Sequence, residues 1–393
     1  MIVLGIITQE QALHHIDFNT LGLLSGMMIL VGITAQTGLF SYLAIWAAKK
    51  VDADPLKLFF VLSLLTAVLS AFLDNVTTVL LTVPVTISIT RQLEIKPAPY
   101  LIAQIIASNI GGTATLVGDP PNIMIGSAVK ELTFMAFINN LAAVSVVILI
   151  ISLLILALIY FPEMKTSPAL RQKILEIDET KQITNHTLLM ICIGVLSLTI
   201  LLFTTHQFFH LATATIALFG ASVLLLFTSV SGKPSLERIF HKIEWTALFF
   251  FIGLFILVGG LIETGVISYV AQKSIALTAG NLTFTALLLL WVSAIASAFV
   301  DNIPFVATMI PLIKDMGTLG LTHLEPLWWS LSLGACLGGN GTLVGASANI
   351  IVAGLAAQEG YPLSFTGYLR VGFPLMLLSI VIASLYIYFR YLC

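Results

Sequence analysis

The sequence predicts an all-α polytopic membrane protein made of two inverted-topology repeats, each with a re-entrant helical hairpin and a broken transmembrane helix. Three observations predict it. Of the 393 residues, 58% are hydrophobic and 9% charged, and the mean hydropathy is +1.05, more apolar surface than a water-soluble core can hide. Runs at 141–160, 187–204, 211–227 and 371–388 approach the roughly 20 apolar residues that cross ~30 Å of hydrocarbon. Finally, the polar, helix-breaking stretch GGTATLVGDPPN at 111–122 returns as GGNGTLVGASAN at 338–349. Seven of twelve positions are identical, where composition alone would supply roughly one.

Taken in order, Asp17 begins a helix through Met27 and Leu30, the chain breaks near 32–38, and a shorter segment runs over 41–50. A hairpin over about 56–90 follows, its arms meeting at the polar tip Asp74-Asn75-Val76-Thr77-Thr78. A broken helix over about 99–130 contains the glycine-rich stretch, and a full span to 161 completes repeat one, residues 1–162. A charged loop, 163–185, leads to repeat two, 186–393, with a hairpin at about 283–317 and a broken helix at about 326–357. The offset of 227 extends well beyond the motif: Ile29-Leu30-Val31-Gly32 maps to Ile256-Leu257-Val258-Gly259, Thr37-Gly38 to Thr264-Gly265, and Asp74-Asn75 to Asp301-Asn302. One register held over so long a stretch implies the same succession of helices in both halves. Repeat two opens with two helices, 187–227, whose counterparts would precede Met1, which favours a native start upstream.

Lysine and arginine placement sets the orientation. The tip 206–210 carries neither and is expected outside, so the loops on either side, with Lys165, Arg171, Lys173, Lys181 and with Lys233, Arg238, Lys242, belong in the cytoplasm. Carried through the chain, the count is 13 inside to 4 outside, and residues 1–17 fall outside while 228–244 fall inside. The repeats are therefore expected to be inverted, the arrangement of an alternating-access transporter. A net charge of −2 and the lack of a basic block exclude a nucleic-acid partner; the partner is the bilayer. Cys192, Cys336 and Cys393 lack metal or pair spacing and read as small apolar fillers. Ser231-Gly232-Lys233-Pro234 lacks the glycine and hydroxyl of a nucleotide-binding loop.

Unpaired peptide groups in hydrocarbon cost several kcal/mol, so Gly- and Pro-interrupted backbone belongs where it lines a cavity or packs in protein. Such a break leaves free carbonyls, which suit cations, and a helix N-terminus, which suits anions. The expected substrate or ion site accordingly comprises Asn109, Gly111, Gly112, Thr113, Asp119, Pro120, Pro121 and Asn122 from the first break, and Gly338, Gly339, Asn340, Thr342, Ser347 and Asn349 from the second. The hairpin tips add Asp74, Asn75, Thr77, Thr78, Asp301, Asn302 and Pro304. Acids at membrane depth are functional candidates, so Asp74, Asp119 and Asp301 are the coupling acids; Ala346 stands where a partner to Asp119 would be. Sodium is expected near Asn75, Asn122, Asn302 and Asn349, or coupling is by protons, with no other cofactor. Glu263 is expected to cap the helix break, Asp17 and Glu244 to serve as acids at helix starts, His206 and His210 to sit at the interface, and Trp328 and Trp329 to anchor there.

The runs Leu73-Asp74-Asn75-Val76-Thr77-Thr78-Val79-Leu80-Leu81, Ala107-Ser108-Asn109-Ile110-Gly111-Gly112 and Gly118-Asp119-Pro120-Pro121-Asn122 resemble the arsenite permease, NhaD-type antiporter and melanosomal P protein group of the ion transporter superfamily. The resemblance implies two re-entrant hairpins and two broken helices, elevator-like movement, a homodimer in a bacterial inner membrane, and allows an accessory ATPase subunit. The related sodium-coupled dicarboxylate carriers use a Ser-Asn-Thr tip signature, which this sequence lacks, and two tip carboxylates repel a dianion unless protonated or cation-bound. The leading reading is an ion-coupled secondary transporter of a small inorganic anion or metalloid such as arsenite. Sodium/proton antiport and sodium-coupled carboxylate symport are the alternatives on the same scaffold. An intramembrane aspartyl protease, suggested by Val117-Gly118-Asp119 and a second buried acid, is the alternative of another class.

Overall fold

The computed structural model describes residues 1–231, 236–241 and 243–393, and among them every regular element is a helix. Lys233 and Lys242, counted above with the cytoplasmic cations, and Gly232 and Pro234 lie outside the described residues. Among the described residues seven helices are long and apolar enough to cross a bilayer: Phe18–Gln36, Pro55–Phe72, Phe134–Glu163, His186–Phe209, Trp245–Glu263, Leu282–Phe299 and Phe365–Leu392.

The offset of 227 is legible in the helix starts. Phe18–Gln36, Leu39–Lys50, Pro55–Phe72, Asn75–Gln92, Ala98–Thr113 and Pro120–Ala128 are answered by Trp245–Glu263, Val266–Thr278, Leu282–Phe299, Asn302–Thr318, Glu325–Gly338 and Ser347–Gln358, each beginning at the residue the offset demands. Local chemistry explains several of these starts. Asp54 accepts from the Lys57 amide at 3.1 Å and Asn281, its counterpart, from the Phe284 amide at 2.9 Å, caps worth about 1 kcal/mol each. Gly38 and Gly265 hold φ of 83° and 75° before the next helix starts, a left-handed turn that favours glycine.

The long-range packing is duplicated too. Pro55–Phe72 lies along Ala98–Thr113 as Leu282–Phe299 lies along Glu325–Gly338. Glycine sets that approach: a Cβ on Gly111 would sit 2.2 Å from the Ala67 carbonyl oxygen, and one on Gly338 2.5 Å from that of Ala294. The halves meet through Asn75–Gln92 against Ser347–Gln358, Asn302–Thr318 against Pro120–Ala128, and Ala98–Thr113 against Glu325–Gly338.

Several expectations are corrected. The helix that starts at Phe18 runs unbroken through Gly32 to Gln36, and the break is confined to Thr37 and Gly38, because isolated glycines inside a packed helix are tolerated. Glu263 ends its helix without capping the break and instead meets His15 Nε2 at 3.2 Å. Trp328 and Trp329 are buried rather than interfacial; the Trp329 indole packs edge-on to Phe137 and donates to Glu325 Oε1 at 3.1 Å. Cys393 is exposed, so it fills nothing. The loop 163–185 contains the helix Pro168–Leu175 and straps onto the first half: Lys49 Nζ donates to Glu179 Oε2 at 2.5 Å and to the Ile177 carbonyl at 3.0 Å, and the Thr184 amide donates to the Thr37 carbonyl at 3.0 Å.

Candidate functional site

The backbone is non-helical between Thr113 and Pro120 in the first half and between Gly341 and Ser347 in the second. Asn122 and Asn349 staple these breaks from the helix beyond. Asn122 Nδ2 donates to the carbonyls of Gly112, Thr113 and Thr115 at 3.4, 3.1 and 2.9 Å, and Asn349 Nδ2 to those of Gly339 and Thr342 at 2.7 and 2.9 Å. Thr115 and Thr342 hydroxyls tie the breaks to the Ala71 and Ala298 carbonyls. Buried peptide groups left by the broken ladder are thus satisfied by side chains.

Two amide networks join the halves at this point. Asn75 Nδ2 donates to Asn109 Oδ1 at 3.2 Å, and Asn109 Nδ2 donates to Asn340 Oδ1 and Asn349 Oδ1 at 3.0 and 2.9 Å. Across the pseudo-symmetric position, Asn122 Oδ1 accepts from Ser332 Oγ at 2.6 Å and from Cys336 Sγ at 3.5 Å. The carbonyl oxygens of Asn122 and Asn349 are therefore committed to protein donors. Ser332, Cys336 and Tyr368, whose hydroxyl donates to the Asn340 carbonyl at 3.0 Å, were not foreseen. Cys336 is a hydrogen-bonding group and not an apolar filler; the signal was its alignment with Asn109.

The three acids stand at three helix starts and behave differently. Asp74 caps its own helix, Oδ1 accepting from the Thr77 amide at 2.7 Å and Oδ2 from the Thr77 hydroxyl at 2.5 Å. Asp301 accepts from the Ile303 amide at 3.0 Å and from Ser347 Oγ, on the second broken helix, at 2.7 Å. Asp119 caps nothing. The next two residues are Pro120 and Pro121, which have no N–H to offer, and the Asn122 amide turns to the Asp119 carbonyl at 3.0 Å. Two side chains from the second half reach it, Asn302 Nδ2 at 3.4 Å from Oδ1 and the weakly donating Cys336 thiol, while Oδ2 meets no well-formed hydrogen bond among the described residues. The side chain is 1% exposed. Thr78 Oγ1 and Asn340 Nδ2 are likewise buried without a partner. Thr113 donates back to the Asn109 carbonyl at 2.7 Å, Gly111 and Gly338 serve the helix approach described above, and Pro304 lies one turn into its helix, half-buried. Among the described residues no group of three or more His, Cys, Asp or Glu could hold a metal ion.

A family model described as citrate transporter matches residues 1–334. The chain belongs to the citrate transporter family. It is 41% identical over 397 residues to an uncharacterized transporter of Mycobacterium tuberculosis, an alignment covering 100% of this chain and 91% of that protein. To the P protein of Homo sapiens it is 35% identical over 466 residues, covering 98% of this chain and 55% of that protein. Among solved structures, the YdaH transporter of Alcanivorax borkumensis aligns with a TM-score of 0.62 at 16% identity, covering 96% of this chain and 86% of that one. That likeness bears on fold alone. The family and the apolar helices make this citrate transporter family member an integral membrane secondary transporter, and the membership fits the group its motifs resemble.

Proposed function

We propose that this family member is an ion-coupled secondary transporter in which Asp119 holds the coupling ion, with Asp74 and Asp301 at the neighbouring helix starts completing the acidic set. The observation that carries the reading is the under-satisfied Asp119 carboxylate, buried and given a 3.4 Å contact to Asn302, the weak Cys336 thiol and no capping amide. An ionised carboxylate removed from water with so few donors is costly, so it is matched by a proton or a cation. The surrounding residues, Asn75, Asn109, Asn302 and Asn340 with the three acids, supply amide and carboxylate oxygens of the kind that suit hard cations.

The solute is a small inorganic species, arsenite being the example. Arsenous acid is neutral at pH 7 and suits an amide-lined site, whereas citrate, from which the family takes its description, carries several negative charges toward three acids and needs accompanying cations. The same acid-and-amide set favours a second reading, sodium/proton antiport with no separate solute. The two helix pairs and two broken helices pack on one another across the halves, which supports their moving together as an elevator. The Lys and Arg distribution supports an inner-membrane orientation with 163–185 in the cytoplasm.

Flux in proteoliposomes under imposed sodium and proton gradients tests the proposal. Arsenite uptake that follows either gradient supports the first reading, and sodium-driven proton movement without added solute supports the second. Coupled movement is expected to collapse in Asp119→Asn; wild-type coupling in that variant would remove Asp119 from the role.

A further inference from the structure

Asp17 and Glu244 occupy equivalent points, 227 residues apart, one residue before Phe18–Gln36 and Trp245–Glu263. Asp17 is fully engaged: Oδ1 accepts from the Asn19 and Thr20 amides at 3.0 and 3.2 Å, and Oδ2 from the Thr20 hydroxyl at 2.6 Å. Glu244 makes no capping bond, and among the described residues its carboxylate has no hydrogen-bond or ion-pair partner. Two differences explain this. The additional methylene of glutamate makes it a poorer cap than aspartate, and Ala247 stands where Thr20 would supply a hydroxyl.

The released carboxylate lines a cavity of about 300 Å³, walled by Gly32 and Ala35 of Phe18–Gln36 and by Thr77 and Leu80 of Asn75–Gln92. Glu244 and Thr77 are the two polar side chains in that lining. Thr77 donates to Asp74 Oδ2 at 2.5 Å, and its oxygen keeps the capacity to accept. Phe18–Gln36 presents no charged group to the cavity, Asn75–Gln92 presents Asp74 behind Thr77, and Arg238 and His241 in the preceding segment are exposed. The equivalent cavity of the other half, about 340 Å³, is built from the matching positions Gly259, Ile262 and Ala307, but there Asp17 is occupied with its cap and His15 and Lys314 join the lining.

We infer that Glu244 is an access residue, a carboxylate that collects the coupling cation, proton or sodium, in the cavity and passes it by way of Thr77 to Asp74. The inference rests on the reading that Asp74 belongs to the coupling set. Apolar walls round one free carboxylate concentrate a counter-ion at its mouth, and the 227-related cavity, whose acid is tied down in its cap and whose lining includes a lysine, lacks that property.

The full chain in proteoliposomes provides the test, with sodium and proton gradients imposed separately so that the two cations are told apart. In Glu244→Gln the cation concentration for half-maximal flux is expected to rise on the order of tenfold, the lower end of what charged clefts do to local ion concentration, with a smaller change in maximal rate. The double variant Glu244→Asp with Ala247→Thr rebuilds the Asp17 cap; it keeps the negative charge and is expected to show the same rise. A half-saturation equal to wild type in both variants, with Asp74→Asn impaired, would overturn the access role alone. Wild-type flux in Asp74→Asn would overturn the coupling role of Asp74 and this inference with it.

Discussion

The two halves of this transporter share their scaffolding bonds and differ in their chemistry. Ser70 and Ser297 donate to the Ser108 and Ala335 carbonyls, both at 2.6 Å; Thr115 matches Thr342, Asn122 matches Asn349, and Gly111 matches Gly338. The unmatched pairs include Asp119 with Ala346, Asn109 with Cys336, Pro120 with Ser347, and Glu244 with Asp17. Apart from the hairpin-tip pairs Asp74 with Asp301 and Asn75 with Asn302, what recurs at the offset closes backbone ladders and sets helix approach, and what does not recur includes an acid, an amide and a thiol at the centre. Duplication thus separates residues that hold the breaks from residues that give one half an additional charge.

The largest effects should fall on the shared set and, for the glycines, be equal in the two halves. Gly111→Val and Gly338→Val each drive a side chain into a carbonyl of the neighbouring helix, at 2.2 and 2.5 Å for the Cβ alone. Each is expected to cost about 3 kcal/mol or more, read as loss of the monodisperse peak in detergent chromatography. If either variant survives intact, the halves are not equivalent in packing. Asn122→Ala and Asn349→Ala come next. Removing one staple leaves buried carbonyls without a donor, at about 1–3 kcal/mol, and the Asn122 variant should melt lower because three carbonyls and the Ser332 hydroxyl lose their partner there.

Asp119→Asn tests the unshared set, and its signature is the opposite. No amide cap is lost, and a buried acid becomes neutral, so thermal stability should hold or rise. Coupled flux should fall by about tenfold or more, a loss of at least ~1.4 kcal/mol in the coupled step. A variant that melts early and transports normally would place Asp119 with the scaffolding.

Much of this division was legible in the sequence. Helix starts followed from Asp17 and Glu244 and from the offset, and the breaks from Gly, Pro and Asn in apolar sequence. The polarity of Asp119 was legible as well, but its isolation required knowing that Pro120 and Pro121 remove the local donors and that the Asn122 amide turns inward. Trp328 and Trp329 were misplaced because hydropathy registers residue type, while burial depends on Phe137, a contact set by tertiary packing. Glu263 was misplaced for the same reason, since its partner His15 lies 248 residues away. The freedom of Glu244 turned on Ala247, three residues along, a comparison that the offset made available but that only the contrast with the Asp17 cap made meaningful.

The smallest effect concerns the strap of the first half, tied by Lys49, a position at which the offset places Ala276. The Lys49 ammonium beside Glu179 holds that carboxyl below its usual range, and the Thr180 hydroxyl does the same for Asp178. A carboxylate whose folded-state pKa is depressed contributes stability above its unfolded value, and the contribution disappears as pH falls through the lower, folded value. Glu179→Gln is therefore expected to lower the melting temperature slightly at pH 7, and the gap to wild type should begin to close below the ordinary glutamate value of 4.5. The effect is small because an ion pair in contact with water is worth little and is screened by salt. A gap that persists unchanged from pH 7 to well below that value would mean that Glu179 holds the strap by packing and not by charge, and the first half would then owe its additional tether to the Ile177 and Thr184 backbone bonds alone.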